Sequence, residues 1–146
     1  MGHPPVEKKA LSLDNFPFQT FDKLRYADTD RQGHVNNAVF STFLETGRVE
    51  MLYAPGNPLA SEHGEFVIAS LNLDFLTEIH WPGRIEIGTG VRSVGNSSFR
   101  LAQGLFQDGH CAAAAETVIV QMDERTRKSC PLSGKVRTFL TVHLLP

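Results

Sequence analysis

The stretch "NAVFSTFLETGRVEMLY", residues 37–53, predicts a long amphipathic helix. Its apolar and small residues recur at spacings of three and four and so mark one face of the helix: Phe40, Phe43, Leu44, Gly47 and Met51. Asn36 and Asn37 stand where an N-cap belongs, because an asparagine side chain accepts a hydrogen bond from a free N–H group of the first turn. Gly47 costs about 1 kcal/mol relative to alanine inside a helix, and close approach to another backbone would explain it. We expect the helix to end at "APGNP", residues 54–58.

The other segments read mostly as β-strands. The predicted strands are "FQTFDKLRY" (18–26), "FVIASLNLDFLTEI" (66–79), "RIEIGTGVRSV" (84–94), "FRLAQGLF" (99–106) and "CAAAAETVIVQM" (111–122). In 66–79 and 84–94 apolar and polar side chains alternate, which predicts half-buried strands. "WPG", "GNSS" and the Asp-Gly of "QDGH" supply the turns between them. The last segment, "KVRTFLTVHLL" (135–145), is compatible with a strand or a short helix.

This order of elements predicts an α+β fold. A single helix cannot provide the crossovers that so many parallel strands require, so we expect an antiparallel sheet wrapped on one long helix. Gly47 and the small residues Ala112 to Ala115 are candidates for the contact between helix and sheet. We expect a flexible leader over residues 1–15 and a single domain over residues 16–146.

Composition excludes several classes of protein. The chain has 146 residues and a formal net charge of -2, which argues against a general binder of nucleic acids or membrane surfaces. Cys111 and Cys130 are too few for a disulfide framework and lack metal-ligand spacing, which favours a reducing compartment. We expect no metal and no cofactor. No apolar run approaches the roughly 18 residues that span a bilayer, and no secretory signal is evident, which predicts a cytoplasmic protein.

The polar stretch "YADTDRQGHVNN", residues 26–37, precedes the helix. Taken singly, its residues have ordinary explanations: Asp28 and Asp30 suit turns, Gly33 can adopt a positive φ, and a lone His34 is more often structural. Together they suggest carbonyl chemistry, because a helix N-terminus offers unpaired N–H groups to an oxyanion. A carboxylate a few residues upstream, such as Asp30, can attack a carbonyl or activate a water beside that site.

The stretch "DTDRQGHVNNAVFSTFLETGR", residues 28–48, closely resembles the acyl-CoA thioesterases of the hotdog-fold superfamily. This group includes 4-hydroxybenzoyl-CoA thioesterase and the acyl-ACP thioesterases. The residues that carry the resemblance are Asp28, Asp30, Gly33, His34, Val35, Asn36, Asn37, Glu45 and Arg48. The resemblance implies a single hotdog domain that forms homodimers or homotetramers, with active sites at the subunit interface. Glu45 and Arg48 are expected to form a structural or interface pair.

The resemblance also implies catalytic roles. Asp30 matches the carboxylate that acts in these enzymes as nucleophile or general base, and the backbone N–H of Asn37 matches the oxyanion donor. In the acyl-ACP branch an Asp-x-Asn-x-His run is implicated, and it maps onto Asp30, Gln32 and His34. Gln32 departs from that pattern, which favours acyl-CoA as substrate, although its amide could still orient Asp30 or a water. For His34 the alternative role is a hydrogen bond that shapes the loop.

Four residues around the "VGNSSF" turn are candidates for binding the substrate. They are Arg92, Ser97, Ser98 and Arg100. Their charges and hydroxyls suit the phosphates of CoA, and in hotdog enzymes such a segment often lies near the nucleotide or the pantetheine arm. The alternative is that they are solvated turn residues without a ligand.

Two rival functions stay open. A hotdog hydratase or dehydratase acting on an acyl thioester would carry an Asp-x-Asn-Pro-x-His motif, and this chain has no proline there. A non-catalytic acyl-CoA binding protein would present similar residues without turning over its ligand.

Overall fold

The computed structural model describes residues 11–53, 59–60 and 63–146. Its elements are β1 (Phe18–Lys23), α1 (Asn37–Leu52), β2 (Gly64–Phe75), β3 (Arg84–Val94), β4 (Ser98–Gln107), β5 (His110–Asp123) and α2 (Gly134–Val142). The strands form one five-stranded antiparallel sheet in the order β1-β3-β4-β5-β2, and α1 packs against β3, β1 and β4. The predicted α+β architecture is therefore confirmed.

The predicted cap and buried face of α1 are both present. Asn36 has an extended backbone, and its side-chain oxygen accepts a hydrogen bond of 3.0 Å from the N–H of Ala38. Asn36 is therefore the N-cap, and Asn37 is the first helical residue. The five residues predicted to form the apolar face of the helix are all buried, and the helix ends at Leu52. The stretch 54–58, predicted to end the helix, lies outside the described residues.

Gly47 lies where α1 approaches the sheet most closely. A Cβ atom added there would lie 2.7 Å from Ile87 Cγ2, 2.8 Å from Gln103 Nε2 and 3.0 Å from Thr89 Oγ1. The predicted close approach is confirmed, but the neighbours are side chains of β3 and β4 rather than another backbone. Three of the alanines at 112–115 share one hydrophobic cluster with apolar residues of α1, as expected of a helix-sheet contact.

The first strand is shorter than predicted. It ends at Lys23, and Tyr26–Asp28 forms a 3-10 turn instead of continuing the strand. The turn forms because the carboxylate of Asp28 accepts hydrogen bonds from the N–H of Arg25 at 2.9 Å and from its guanidinium at 2.9 Å. These local bonds offer the backbone an alternative to the sheet.

Strand β2 departs further from the prediction. It ends at Phe75 rather than at residue 79, and its apolar side chains are not buried within this chain. Ile68, Leu71 and Phe75 have exposed fractions of 50%, 39% and 50%. The physical reason is that β2 is an edge strand, and a bulge between Ile68 and Ser70 interrupts its alternation.

The two ends of the described chain are both folded. The C-terminal segment left open by the sequence is the helix α2, capped by Ser133, whose hydroxyl accepts a hydrogen bond of 3.3 Å from Val136 N–H. Leu13–Asn15 forms a short 3-10 turn, and the side chain of Gln19 donates to the carbonyl of Leu13 at 2.9 Å. The division into a leader over 1–15 and a domain over 16–146 stays a prediction. Among the described residues, no helix is long and apolar enough to cross a membrane.

Candidate active site

The loop between the 3-10 turn and α1 is built around Asp30. Its N–H donates to the carbonyl of His34 at 2.7 Å, and its carbonyl accepts from Gly33 N–H at 3.1 Å. Gly33 has a φ of +80°, a conformation that favours glycine. The Oδ1 atom of Asp30 accepts hydrogen bonds from the N–H groups of Gln32 at 2.8 Å and His34 at 3.2 Å. Within the described part of the chain Oδ2 accepts no hydrogen bond, so one oxygen positions the carboxylate and the other is available to a ligand.

At the N-terminus of α1, one N–H group has no acceptor among the described residues. Asn36 N–H donates to the carbonyl of Asp28 at 2.8 Å, Ala38 N–H to the Asn36 side chain at 3.0 Å, and Val39 N–H to the Asn36 carbonyl at 2.9 Å. For Asn37 N–H, no residue in the described ranges provides an acceptor. This N–H also carries part of the positive end of the helix dipole, so it is suited to bind a ligand oxygen.

The two aspartates of the motif have different environments. Asp28 is 2% exposed, and its carboxylate is fully engaged with the backbone and guanidinium of Arg25, whose pKa the hydrogen bond to Asp28 raises. Its carbonyl also holds the N-cap residue, so Asp28 fixes the base of the loop to the start of the helix. Asp30 is exposed, with one oxygen free of protein contacts. Asp28 therefore holds the loop in place, whereas Asp30 presents a carboxylate oxygen that a ligand could reach.

One cavity of about 380 Å³ brings the four predicted catalytic residues together. Its lining comprises Asp30, Gln32, His34 and Asn37 together with Val35, Phe40, Phe75, Leu76, Thr77 and Glu78. The lining comes from three parts of the chain: the loop, the start of α1, and the end of β2 with the segment that follows it. The cavity therefore places a carboxylate and a free N–H beside apolar side chains such as Phe40 and Phe75.

Gln32 and His34 contribute to the site chiefly through their backbones. Both N–H groups hold Asp30 Oδ1, whereas the Gln32 side-chain amide forms no hydrogen bond with any described residue. The His34 imidazole instead contacts Glu78, with 3.2 Å between Nε2 and Oε2. Sequence reasoning missed Glu78 because it assigned residues 66–79 to a strand. In the sequence, Glu78 and His80 flank the apolar Ile79, and this polar-apolar-polar order indicates that both polar side chains lie on the same side of an extended segment.

The predicted substrate-binding residues do not line this cavity. Arg92 lines a separate cavity of about 230 Å³, and its Nε lies 3.2 Å from Glu116 Oε1. At the turn between β3 and β4, the Ser98 carbonyl accepts a hydrogen bond from Gly95 N–H at 2.7 Å, and the Ser97 carbonyl accepts one from Gln121 N–H of β5 at 2.8 Å. Arg100 is exposed on β4. The role of these four residues in binding substrate stays a prediction.

Arg48 interacts electrostatically with Glu45, the partner predicted from the sequence, but its hydrogen bond is to Gln103. It is 6% exposed, and its Nη1 lies 3.3 Å from Gln103 Oε1, whereas Glu45 is exposed. The Gln103 amide nitrogen donates to Thr89 Oγ1 and to the Leu44 carbonyl, each at 3.0 Å. Burial lowers the pKa of Arg48. The structural role expected for Arg48 thus rests on a buried polar network beneath α1.

Several solved structures closely match this chain. The PA5185 protein from Pseudomonas aeruginosa has a TM-score of 0.82 and 24% identity, covering 92% of this chain and 96% of its own. A thioesterase from Thermus thermophilus, complexed with coenzyme A and Zn, has a TM-score of 0.77 and 27% identity, covering 89% and 96%. A protein from Bacillus stearothermophilus described as a predicted thioesterase has a TM-score of 0.78 and 23% identity, covering 88% and 98%. These matches confirm the predicted hotdog fold.

Sequence comparison gives the family. Among curated proteins no sequence matches this chain. A family model described as the thioesterase-like superfamily matches residues 24–140, a range that includes the Asp30 loop, α1 and four of the five strands. The chain therefore belongs to the thioesterase-like superfamily.

Proposed function

We propose that this protein hydrolyses an acyl-CoA thioester to a free acid and CoA. The observation that carries the proposal is the pairing of two free groups in one cavity, Asp30 Oδ2 and Asn37 N–H, which no other described residue engages. A carboxylate supplies the nucleophile or base, and the helix N-terminus stabilises the negative charge that develops on the carbonyl oxygen. Membership of the thioesterase-like superfamily supports the same chemistry.

The proposed reaction starts with the thioester carbonyl oxygen accepting a hydrogen bond from Asn37 N–H. Asp30 then attacks the carbonyl carbon or removes a proton from an attacking water. The C–S bond breaks and CoA leaves as a thiolate, which needs little protonation because thiols have pKa values of about 8.5. If Asp30 is the nucleophile, water hydrolyses the resulting acyl-Asp30 anhydride. A single oxyanion donor accelerates the reaction by about 10² to 10³, so the carboxylate must supply the remaining rate enhancement.

Gln32 and His34 act in this proposal as positioning residues. Their N–H groups fix Asp30 Oδ1 and so aim Oδ2 at the bound thioester. The Gln32 side chain has no protein partner in the described ranges and is free to hold the attacking water.

We further propose that CoA is the carrier and that the active form is a homo-oligomer. The related Thermus thermophilus thioesterase, complexed with coenzyme A, supports the carrier. The exposed apolar side chains of β2 support assembly through this edge, and Phe75 is both exposed there and part of the Asp30 cavity. A second copy on β2 would extend the wall of the cavity. Residues from that copy, including its own Arg92 and Arg100, are then candidates for the CoA phosphates.

Release of free thiol from acyl-CoAs with short, long and aromatic acyl groups tests the hydrolysis. The informative variant is Asp30→Asn, because asparagine keeps an Oδ1 acceptor for the loop while removing the charge. We expect a fall in kcat of at least about 10²-fold. Asp22→Asn, on β1 and outside the cavity, is the matched control and should keep full activity.

Two outcomes would contradict the proposal in different ways. Binding of acyl-CoA by the wild type without release of thiol from any substrate would identify a non-catalytic binding protein. Full activity of Asp30→Asn would remove Asp30 from the mechanism. A single turnover in ¹⁸O-labelled water tests for the nucleophile: label found in Asp30 shows that water has opened an anhydride at the Asp30 carbonyl, a result that a general base would not give.

A further inference from the structure

Three side chains of metal-binding type meet at the rim of the Asp30 cavity. They are His34, Glu78 and His80, and their potential ligand atoms all lie within 4.8 Å of one another. Glu78 Oε2 lies 3.2 Å from His34 Nε2 and 3.8 Å from His80 Nε2. Among the described residues, no other group of three histidine, cysteine or acidic side chains comes together in this way.

The backbone explains why the three side chains share one face. His34 and His80 are directly paired partners in an isolated antiparallel bridge, so their side chains project to the same side. Glu78 and His80 flank Ile79, which is fully buried, and alternation along an extended segment therefore points both of them outward. Val35 N–H donates to the Ile79 carbonyl at 2.8 Å and fixes this register.

Hydrogen bonds fix the backbone of both histidines. The Gln107 side-chain amide accepts a hydrogen bond from His80 N–H at 3.0 Å and donates one to the His80 carbonyl at 2.7 Å. His34 is held by its two backbone hydrogen bonds with Asp30. The two imidazole rings meet edge to face with their centroids 4.8 Å apart. Supports of this kind orient ligands before a metal arrives and raise the affinity of a site.

The donor set selects a class of ion. Imidazole nitrogen and carboxylate oxygen are ligands of Zn²⁺ and related transition metals, whereas Mg²⁺ and Ca²⁺ prefer oxygen alone. Bonds of about 2.0 to 2.2 Å at tetrahedral angles place neighbouring ligand atoms about 3.3 to 3.5 Å apart. The observed 3.2 Å and 3.8 Å bracket that spacing, and the third pair of ligand atoms lies within 4.8 Å.

We propose that His34, Glu78 and His80 form a binding site for a divalent transition-metal ion of the Zn²⁺ class. Three protein ligands leave a coordination position open to water or to a ligand. His34 and Glu78 also line the Asp30 cavity, so the open position lies at its edge. A bound ion would join the Asp30 loop to the segment that follows β2. The inference does not rest on the proposed hydrolysis, because metal binding is measured without any substrate.

The test is calorimetric titration of Zn²⁺ into the metal-stripped protein, prepared without a polyhistidine tag, with Co²⁺ absorption spectra as a second readout. We expect one ion per chain with micromolar affinity, weaker at acid pH because the metal displaces protons from imidazole. His80→Ala and Glu78→Gln should each lower the affinity more than about tenfold. His63→Ala is the matched control, because His63 also contacts a carboxylate, with 3.3 Å between its Nδ1 and Glu124 Oε1.

Three results would overturn the inference. They are absence of Zn²⁺ binding at millimolar concentration, wild-type affinity in both His80→Ala and Glu78→Gln, and an equal loss of affinity in His63→Ala. His80 and Glu78 are exposed, so both variants should fold, and circular dichroism checks this for each. If His80→Ala is unfolded, the conservative Glu78→Gln variant decides the question.

Discussion

Gly47→Ala tests whether α1 lies against the sheet as closely as the structure shows. The added methyl group would lie 2.7 Å from Ile87 Cγ2, 2.8 Å from Gln103 Nε2 and 3.0 Å from Thr89 Oγ1. Ordinary contacts between carbon atoms are about 3.5 to 4.0 Å, so the neighbours must move by up to about 1 Å. All three are at most 1% exposed, which leaves them little room to move.

The expected magnitude is the balance of three effects. Alanine is favoured over glycine in a helix by about 1 kcal/mol. Overpacking a close-packed core costs about 1 to 3 kcal/mol, and displacing the Gln103 amide from its buried hydrogen bonds costs about 1 to 3 kcal/mol more. Steric and polar costs exceed the gain in helix propensity, so we expect a net destabilisation of about 1 to 5 kcal/mol.

Equilibrium unfolding in urea measures this difference in the free energy of unfolding. Gly134→Ala is the matched control, because Gly134 begins α2 and a Cβ atom added there has no neighbour within 4 Å. We expect the control to stay within about 0.5 kcal/mol of wild type. A Gly47→Ala protein as stable as wild type, or more stable, would refute the reasoning, because the higher helix propensity of alanine would then outweigh the cost of the close contact with β3 and β4.

Three further substitutions test other parts of the structure. Gln103→Leu leaves the buried Arg48 guanidinium without its acceptor and should destabilise the protein by about 2 to 4 kcal/mol in urea unfolding; wild-type stability would show that the network is dispensable. Asn36→Ala removes the acceptor for Ala38 N–H and should lower the free energy of unfolding by about 1 kcal/mol. An unchanged free energy of unfolding would contradict the capping role of Asn36. Backbone N–H groups lower the pKa of Asp123, so its contribution to stability is present above the unfolded Asp pKa of about 3.9 and is lost as pH falls through the lower folded pKa. The difference in Tm between wild type and Asp123→Ala should therefore shrink on acidification, and a difference that grows would contradict the shift.

The long helix was predictable because its signals are local. The apolar spacing of α1 and the asparagine at its start lie within a few residues of one another and need no knowledge of the fold. Gly47 carried a signal of close approach, but its neighbours on β3 and β4 are set by tertiary packing. The sequence likewise indicated a structural role for Arg48, whereas its partner, Gln103, lies 55 residues away along the chain.

The burial of β2 could not be predicted from alternation. A period of two indicates that one face of a strand is apolar, but it does not indicate what covers that face. Strand order puts β2 at the edge of the sheet, which leaves Ile68, Leu71 and Phe75 exposed within a single chain. The same alternation is expected whether the apolar face of β2 is covered by the core of its own chain or by a second copy of the chain. The sequence alone does not distinguish these two cases.

In the candidate site, too, some positions follow from the local sequence and others only from tertiary contacts. Asp30 and Asn37 belong to one short stretch, and their positions follow from local hydrogen bonds of the loop and from the helix cap. Glu78 and His80 come from a distant segment, which the backbone bridge between the two histidines and the Val35–Ile79 hydrogen bond bring to His34. The bridge therefore determines where the loop lies, and the hydrogen bonds to Asp30 determine its shape. Because His34 takes part in both, an ion bound between the two segments would act on the backbone that holds Asp30. Metal binding and the position of the Asp30 carboxylate should thus be coupled.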